Sequence, residues 1–290
     1  MLLHRAHSGK HATMHNVIEI IREASSARKA RAVIFDFDGT LSLIRCGWRD
    51  VMIPLCVEQL LALQTGEPES RLVAVVEEFV WRLTGKETIY QMMALADAIR
   101  ERGGQPLDPR VYKQMYLERL WLLIRDRIED LRTGRAAPES YLVPGALQML
   151  ELLAKRGMHL LLASGTDHAD VTREAHLLGL ERFFGERIFG AQEDLKRFSK
   201  ALLVQQLISQ AGFRPEELLV FGDGYVEIEE VKKAGGVAVG VATAEPLCDR
   251  VDAWKRTRLI QAGADFIIPN YLDCQELAEV LFAAPALAGS

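Results

Sequence analysis

The sequence predicts an α/β protein in which a parallel sheet is interrupted by a long all-helical insertion. Short runs of β-branched, leucine and aromatic residues, such as 33–35 and 218–221, are too short for helices and indicate buried parallel strands. Several of these runs stop abruptly on a carboxylate or a hydroxyl. Over residues 45–140, apolar residues instead recur at three- and four-residue intervals, which predicts helices and no strand.

Length and composition are those of an ordinary globular protein. The 290 residues are 49% hydrophobic and 26% charged, enough for one large core or two smaller ones. The net charge is −5 and the sequence has no Lys/Arg-rich run, so it predicts no basic surface for binding nucleic acid. The sequence has no apolar stretch of membrane-spanning length and no secretory signal, so we expect a cytoplasmic protein with no membrane partner. We expect it to be a monomer or a homodimer.

The cysteines and the first residues give no metal site. The four cysteines lack the spacing of a zinc site or a disulfide framework: Cys46, Cys56, Cys248 and Cys274. Residues 1–15 are polar and aperiodic, so we expect a mobile tail. Its four histidines have near-helical spacing, but no cysteine or carboxylate framework accompanies them: His4, His7, His11 and His15. The apolar residues of 17–21 predict a short packing helix before the first strand.

The first strand, residues 33–35, ends on two carboxylates, Asp36 and Asp38, and Gly39 then turns the chain. In open α/β sheets, ligands bind outside the carboxyl ends of the strands, which is where these carboxylates project. A calcium loop is disfavoured, because no Asp/Asn ladder or distal Glu completes an EF-hand. The pair instead suits a nucleophile, Asp36, that forms an aspartyl-phosphate, with Asp38 as acid and base.

The insertion begins after this strand. Its helices are predicted over four segments that glycines and prolines separate: 51–63, 71–83, 88–101 and 108–131. Residues 42–50 must cross the mouth of the active site. There, Arg45 and Arg49 can pair with an anionic group or with sugar hydroxyls, and Trp48 offers a face for a sugar ring. The alternative is a hinge with solvated arginines and a Trp packed under the insertion.

The sheet resumes near residue 141. A helix over 146–155 precedes a strand, 159–163, that closes on Ser164, Gly165, Thr166 and Asp167. Ser164 and the backbone N–H groups at the next helix start can cradle a phosphate, with Asp167 as the N-cap. The alternative interpretation is a plain turn. A helix over 171–180 and a short strand at 188–189 follow.

Two lysines precede the last motif, Lys196 and Lys200. Ser199 is a natural N-cap, so Lys200 stands at the start of a helix that runs to residue 210. A strand over 218–221 then leads into a Gly-Asp-Gly sequence that contains Asp223, with Glu227 four residues further on. Two carboxylates at this spacing can share Mg²⁺, which prefers oxygen ligands and keeps several waters.

The remaining pattern completes the sheet. Strands are predicted at 237–241 and 266–268, and helices at 257–262 and 274–281. Residues 248–256, which include Trp254, form a polar connector without a readable purpose.

These motifs together resemble the haloacid dehalogenase-like phosphohydrolases. Residues 36–40 match the family's Asp-x-Asp-Gly-Thr at every position, and Ser164 resembles the second motif, a strand ending on Ser or Thr. The third motif is a lysine about two dozen residues before the fourth; Lys200 lies 23 residues before Asp223, and Lys196 lies 27 before it. The fourth motif is Gly-Asp followed by a second acid, which here is Glu227 instead of the commoner Asp.

The resemblance implies a doubly wound, Rossmann-like core over 16–44 and 141–290, with a helical cap over 45–140 inserted between the first and second motifs. It implies roles for the matching residues. The catalytic residues would be Asp36, Asp38, Ser164 and Lys200; the phosphate-binding residues would include Thr40, Gly165 and Thr166; and the Mg²⁺ ligands would be Asp36, Asp38, Asp223 and Glu227.

The function implied is that of a Mg²⁺-dependent phosphohydrolase for a small phosphorylated metabolite, with a sugar phosphate as the preferred candidate. A dehalogenase of this family would lack the second Asp. Two alternatives remain open: a phosphomutase like β-phosphoglucomutase on the same core, and a non-catalytic binding protein that uses the cap as an interaction surface.

Overall fold

The computed structural model describes residues 18–22, 25–192 and 198–283, and these form an α/β fold around a seven-stranded sheet. The strands are β1 (Glu19–Ile20), β2 (Ala32–Phe35), β3 (His159–Asp167), β4 (Ile188–Ala191), β5 (Leu218–Gly222), β6 (Val237–Val241) and β7 (Phe266–Ile268). The strand order is β1-β7-β6-β5-β2-β3-β4, and every pair is parallel except β1 with β7. The predicted fold class is confirmed.

The chain reverses its direction across the sheet at β2. From β2 it adds β3 and β4 on one side, and it then returns to add β5, β6 and β7 on the other. Phe35, the last residue of β2, is in register with Leu162 of β3 and Phe221 of β5. The residues that follow β2 and β5 therefore meet at one edge of the sheet, at the switch point where doubly wound folds bind ligands.

Between β2 and β3 the chain forms four helices, α1 (Trp48–Leu61), α2 (Glu69–Leu83), α3 (Thr88–Glu101) and α4 (Pro109–Thr133), which we call the helical segment. Each predicted helix is present, and the boundaries differ by at most three residues. Asp108 caps α4 by accepting a hydrogen bond from the N–H of Arg110, with Pro109 in the first turn, as its sequence predicts.

The remaining helices flank the sheet. They are α5 (Ala146–Lys155), α6 (His168–Leu177), α7 (Glu181–Phe184), α8 (Lys200–Ser209), α9 (Tyr225–Ala234), α10 (Ala253–Ala262) and α11 (Cys274–Phe282), with short 3₁₀ turns at Pro138–Tyr141 and Pro215–Glu217. Both faces of the central strands are covered, so β2, β5 and β6 are buried along their whole length. Such strands read as continuous apolar runs.

Three predictions about local structure are wrong. The helix predicted around residues 17–21 is, over its described part, the strand β1, because Glu19 and Ile20 pair with the free edge of β7. The connector predicted over 248–256 is partly helical, because Asp252 caps α10 by accepting a hydrogen bond from the Lys255 N–H. Strand β3 does not stop at residue 163 but continues to Asp167 through an irregularity in its pairing with β4.

Some sequence features lie outside the described residues. These include the four histidines of the N-terminal segment and Lys196. Within the described part of the chain, no helix is both long enough and apolar enough to cross a membrane.

Candidate active site

The carboxyl ends of β2 and β5 form the floor of a cavity of about 90 Å³, and the helical segment forms its roof. Asp36 follows β2 directly, and its backbone N–H donates to the carbonyl of Phe221, the partner of Phe35. The pairing of the two strands thus fixes where the first carboxylate emerges. Asp36, Asp38, Ser164 and Lys200 all line this cavity.

Lys200 joins the predicted nucleophile to the fourth motif. Its ammonium lies 2.7 Å from Oδ1 of Asp36 and 2.8 Å from Oε2 of Glu227. The side chain is buried at the first position of α8, which Ser199 caps by accepting a hydrogen bond from the N–H of Leu202. Burial lowers the pKa of Lys200, but the two carboxylates outweigh burial and raise that pKa above its ordinary value. Lys200 therefore remains a cation inside the cavity.

Three carboxylates meet beside Lys200. Asp36, Asp223 and Glu227 each offer one oxygen, and the three oxygens lie within 4.8 Å of one another. Burial, opposed by Lys200 and helped by Glu227 and Asp223, raises the pKa of Asp36 well above its usual range. A divalent cation would reverse this shift and keep Asp36 ionised. The donor set fits Mg²⁺, which takes carboxylate oxygens and completes its shell with water and phosphate.

Asp38, also predicted as a metal ligand, does not belong to this group of three. Its Oδ2 accepts a hydrogen bond of 2.7 Å from the hydroxyl of Thr166 and lies 3.5 Å from that of Ser164. Its Oδ1 is buried and has no partner among the described residues. Burial raises the pKa of Asp38 to about 6, against the opposing effects of Arg45 and the Thr166 hydrogen bond. A carboxyl group with such a pKa can carry a proton near neutral pH.

Thr40 supports the fourth motif and does not line the cavity, although it was predicted to bind phosphate. It is fully buried, and its hydroxyl accepts a hydrogen bond of 2.9 Å from the N–H of Asp223. The turn between them must be tight: Gly39 has φ +75°, and a Cβ there would lie 2.3 Å from Oδ2 of Asp223. Only glycine fits this position, because it tolerates positive φ and leaves room for the carboxylate.

Arg45 lines the cavity, but its guanidinium is already engaged. Glu174 of α6 is fully buried and accepts hydrogen bonds from Nε and Nη2 of Arg45, the shortest 2.7 Å long, and Asp170 lies 3.2 Å from Nη2. The alternative of a solvated arginine is therefore wrong. Through these ion pairs Arg45, which lies between β2 and α1, ties the start of the helical segment to α6.

Arg49, which is predicted to contact substrate, is not among the residues that line the cavity. Its guanidinium stacks over the indole of Trp81 at 4.5 Å and approaches that of Trp48 at 5.9 Å. Trp81 in turn contacts Trp254 of α10, with ring centroids 4.0 Å apart. Trp48, which is also predicted to contact substrate, lines the cavity.

The loop between α2 and α3 closes the cavity over the second motif. A Cβ on Gly165 would lie 2.7 Å from the carbonyl oxygen of Lys86, so the two backbones are in direct contact. Gln91 of α3 lines the cavity, and no described residue hydrogen-bonds its side-chain amide. Glu87 is also buried, and its Oε1 has no partner among the described residues.

Asp167 occupies the N-cap position of α6, as predicted, but its side chain makes no capping hydrogen bond. The carboxylate instead forms an ion pair with Lys113 of α4. It therefore links the core to the helical segment on the side of the second motif.

Sequence reasoning missed several residues of this site. Lys255 is buried at the start of α10 and forms ion pairs with Asp223 at 2.8 Å and Glu245 at 2.7 Å. Asp252, three residues earlier, was a readable N-cap and could have revealed the helix start that carries Lys255. No local pattern marks Glu174 or Gln91, because their roles depend on packing between distant segments.

Comparison with known proteins agrees with this geometry. The family model described as haloacid dehalogenase-like hydrolase matches residues 30–235, which include all four motifs. No curated protein matches the sequence significantly.

Solved structures of similar fold cover most of the chain. A predicted phosphoglycolate phosphatase from Haemophilus somnus is 17% identical, with a TM-score of 0.55 over 86% of this chain and 98% of its own. A haloacid dehalogenase-like family hydrolase from Streptococcus pneumoniae is 17% identical, with a TM-score of 0.54 over 86% and 99%. A β-phosphoglucomutase from Clostridium difficile is 13% identical, with a TM-score of 0.52 over 80% and 98%. At these identities the similarity establishes the fold alone.

The acidic group makes a prediction about metal binding. Asp223→Asn and Glu227→Gln should each weaken Mg²⁺ binding by about tenfold or more, because each removes one charged ligand. Asp223 should have the larger effect, since it lies nearer the strand end. The measurement is the Mg²⁺ concentration that gives half of the maximal increase in melting temperature.

Glu230→Gln is the matched control. Glu230 lies on α9, as Glu227 does, and forms an ion pair with Lys233. Its replacement should leave the Mg²⁺ dependence unchanged. An unchanged dependence in both Asp223→Asn and Glu227→Gln would remove these two residues from the metal site.

Proposed function

Because this chain belongs to the haloacid dehalogenase-like hydrolases, we propose that it is a divalent-metal-dependent phosphatase that forms an aspartyl-phosphate on Asp36. The prediction of an enzyme is confirmed at the level of a hydrolase family. The single observation that carries the finer proposal is the position of Asp36. Its carboxylate lies in the cavity between Lys200 and two further carboxylates, with Asp38 nearby.

Asp36 is suited to the attack on phosphorus. Lys200 holds Oδ1, which leaves Oδ2 as the attacking oxygen. In this step the Oδ2–P bond forms and the bond between phosphorus and the leaving oxygen breaks. Lys200 also supplies a fixed positive charge toward the phosphoryl oxygens, and the Ser164 hydroxyl can donate a hydrogen bond to one of them.

Asp36, Asp223 and Glu227 would hold the cation, which we propose is Mg²⁺. When bound, it would neutralise charge on the phosphoryl group and on Asp36. Glu227 reaches this position because its other oxygen, Oε1, accepts a hydrogen bond from the N–H of Gly224 and fixes the first turn of α9.

Asp38 supplies the proton for the leaving oxygen. Thr166 fixes its Oδ2, and its Oδ1 has no protein partner among the described residues, so Oδ1 is the oxygen available to the substrate. After the leaving group departs, Asp38 is a carboxylate. It can take a proton from the water that attacks the aspartyl-phosphate, which releases inorganic phosphate and restores Asp36.

The substrate we propose is a small phosphorylated metabolite, with a sugar phosphate preferred. The roof of the cavity is lined by Trp48, Thr84, Thr88 and Gln91, that is by an indole, an amide and two hydroxyl side chains. Such groups suit a leaving group that carries hydroxyls on a ring. We further propose that residues 45–140 act as a cap domain, which must move to admit substrate because its loop contacts Gly165.

Asp36→Asn should reduce turnover of a phosphate ester in the presence of Mg²⁺ by about 10³-fold or more, because the amide is a poor nucleophile. Circular dichroism checks that the variant is folded. Asp273→Asn is the control: Asp273 stands at the start of α11 and makes no capping hydrogen bond there, so its replacement should leave the rate unchanged. Substantial residual activity in Asp36→Asn would refute the proposed nucleophile.

Asp38→Ala should slow the hydrolysis of an alkyl phosphate more than that of an aryl phosphate with a good leaving group, because the latter needs little protonation. Thr166→Val, which removes only the hydrogen bond to Asp38, should give a smaller loss with the same preference. The measurement is kcat/KM on both esters. Equal losses on both esters, without accumulation of phosphoenzyme, would contradict the role of acid.

Gln91→Ala and Trp48→Ala should lower kcat/KM for the preferred sugar phosphate by about tenfold and spare a small generic ester that does not reach the roof. Gln114→Ala is the control, because Gln114 is exposed on α4 and contacts Glu118. Parallel losses on both substrates would assign these residues to cap closure. Conversion of the sugar phosphate to an isomer without release of phosphate would favour the phosphomutase alternative.

A further inference from the structure

A second buried lysine, Lys255, contacts the acidic group in addition to Lys200. Lys255 is 5% exposed, and its ammonium lies 2.8 Å from Oδ2 of Asp223 and 2.7 Å from Oε1 of Glu245. The cap that Asp252 provides fixes the first turn of α10, from which Lys255 projects. Neither Lys255 nor Glu245 belongs to the motifs of the site.

The two lysines divide the carboxylates between them. Lys200 pairs with Asp36 and Glu227, and Lys255 pairs with Asp223. Without Lys255, the charge of Asp223 would be uncompensated in a buried cluster of acids, which is costly when no cation is bound. Oδ1 of Asp223 receives no hydrogen bond from any described residue, so Lys255 neutralises the charge of Asp223 and leaves one of its oxygens for a metal ion.

We propose that Lys255 is a resident counter-cation of the metal site, which stabilises the metal-free site by its charge and lowers the metal affinity. Glu245 moderates this effect, because its carboxylate neutralises part of the positive charge that Lys255 presents to an incoming cation. The inference rests on the proposed function only in taking Asp36, Asp223 and Glu227 as the metal ligands.

The proposal predicts effects of opposite sign from two substitutions. Lys255→Met removes a positive charge that repels the metal and leaves Glu245 unpaired, so Mg²⁺ should bind about tenfold more tightly. Glu245→Gln leaves the charge of Lys255 unbalanced, so Mg²⁺ should bind about threefold or more weakly. An ion pair that served only to hold α10 in place would shift both affinities downward, because loss of either partner would disorder Asp223.

The experiment is a calorimetric titration of each variant with Mg²⁺ and with Mn²⁺, in the absence of substrate. Melting temperatures are measured with and without metal. Lys255→Met should melt below the wild type without metal and gain more stability on metal addition. Lys255→Arg, which keeps the charge, should bind Mg²⁺ with nearly the affinity of the wild type.

Lys232→Met is the matched control. Lys232 is largely buried and pairs with the fully buried Asp265, outside the site. Its replacement should lower the melting temperature and leave metal affinity unchanged.

Weaker or unchanged Mg²⁺ binding by Lys255→Met would overturn the proposal. If that variant does not fold, tighter or unchanged binding by Glu245→Gln would overturn it. Absence of Mg²⁺ binding by the wild type would instead overturn the proposed metal site itself, and this inference with it.

Discussion

The site depends above all on one buried cation, the ammonium of Lys200, which contacts Asp36 and Glu227 at the same time. These residues come from β2, α8 and α9, so the contact joins three segments that are distant in sequence. Each carboxylate alone would be destabilised by burial and by its acidic neighbour. The lysine allows two acids to lie side by side beneath the helical segment. It contacts one oxygen of Asp36, and Glu227 has one oxygen on Lys200 and the other on a backbone N–H.

The features of the fold and of the candidate site that the sequence predicts are those marked by the residues next to them in the chain. The sequence predicts Asp36, Asp38, Ser164 and Asp223 as site residues because each follows a short apolar run, and Lys200 because Ser199 marks a helix start. The structure brings these five residues to one cavity. The strands β6 and β7 and the helix α5 have the predicted boundaries, since glycines and turns bound them clearly. The strand β1 was missed because two residues carry no periodicity, and its state is decided by the open edge of β7.

Two of the predicted binding residues, Arg45 and Thr40, have protein partners that lie far away in the chain and that the sequence does not reveal. Arg45 has the chemistry of an anion-binding residue, but Glu174, 129 residues later, takes its guanidinium. Thr40 has a hydroxyl that suits phosphate, but the N–H of Asp223 takes it. A side chain's residue type gives its possible partners, and the tertiary fold decides which partner it meets. This explains why the strand-end carboxylates were easier to place than the polar side chains around them.

The contact between Trp81 and Trp254 joins the helical segment to the core at some distance from the chemistry. These are two of the chain's four tryptophans, and their ring centroids lie 4.0 Å apart. Trp81 belongs to α2 and Trp254 to α10, and the guanidinium of Arg258 stacks on the ring of Trp254. Any movement that lifts the helical segment away from α10 must separate these two indoles. Indoles in contact share excitation and quench each other. A movement of the helical segment away from α10 should therefore change the intrinsic tryptophan fluorescence, which can be measured without an attached dye.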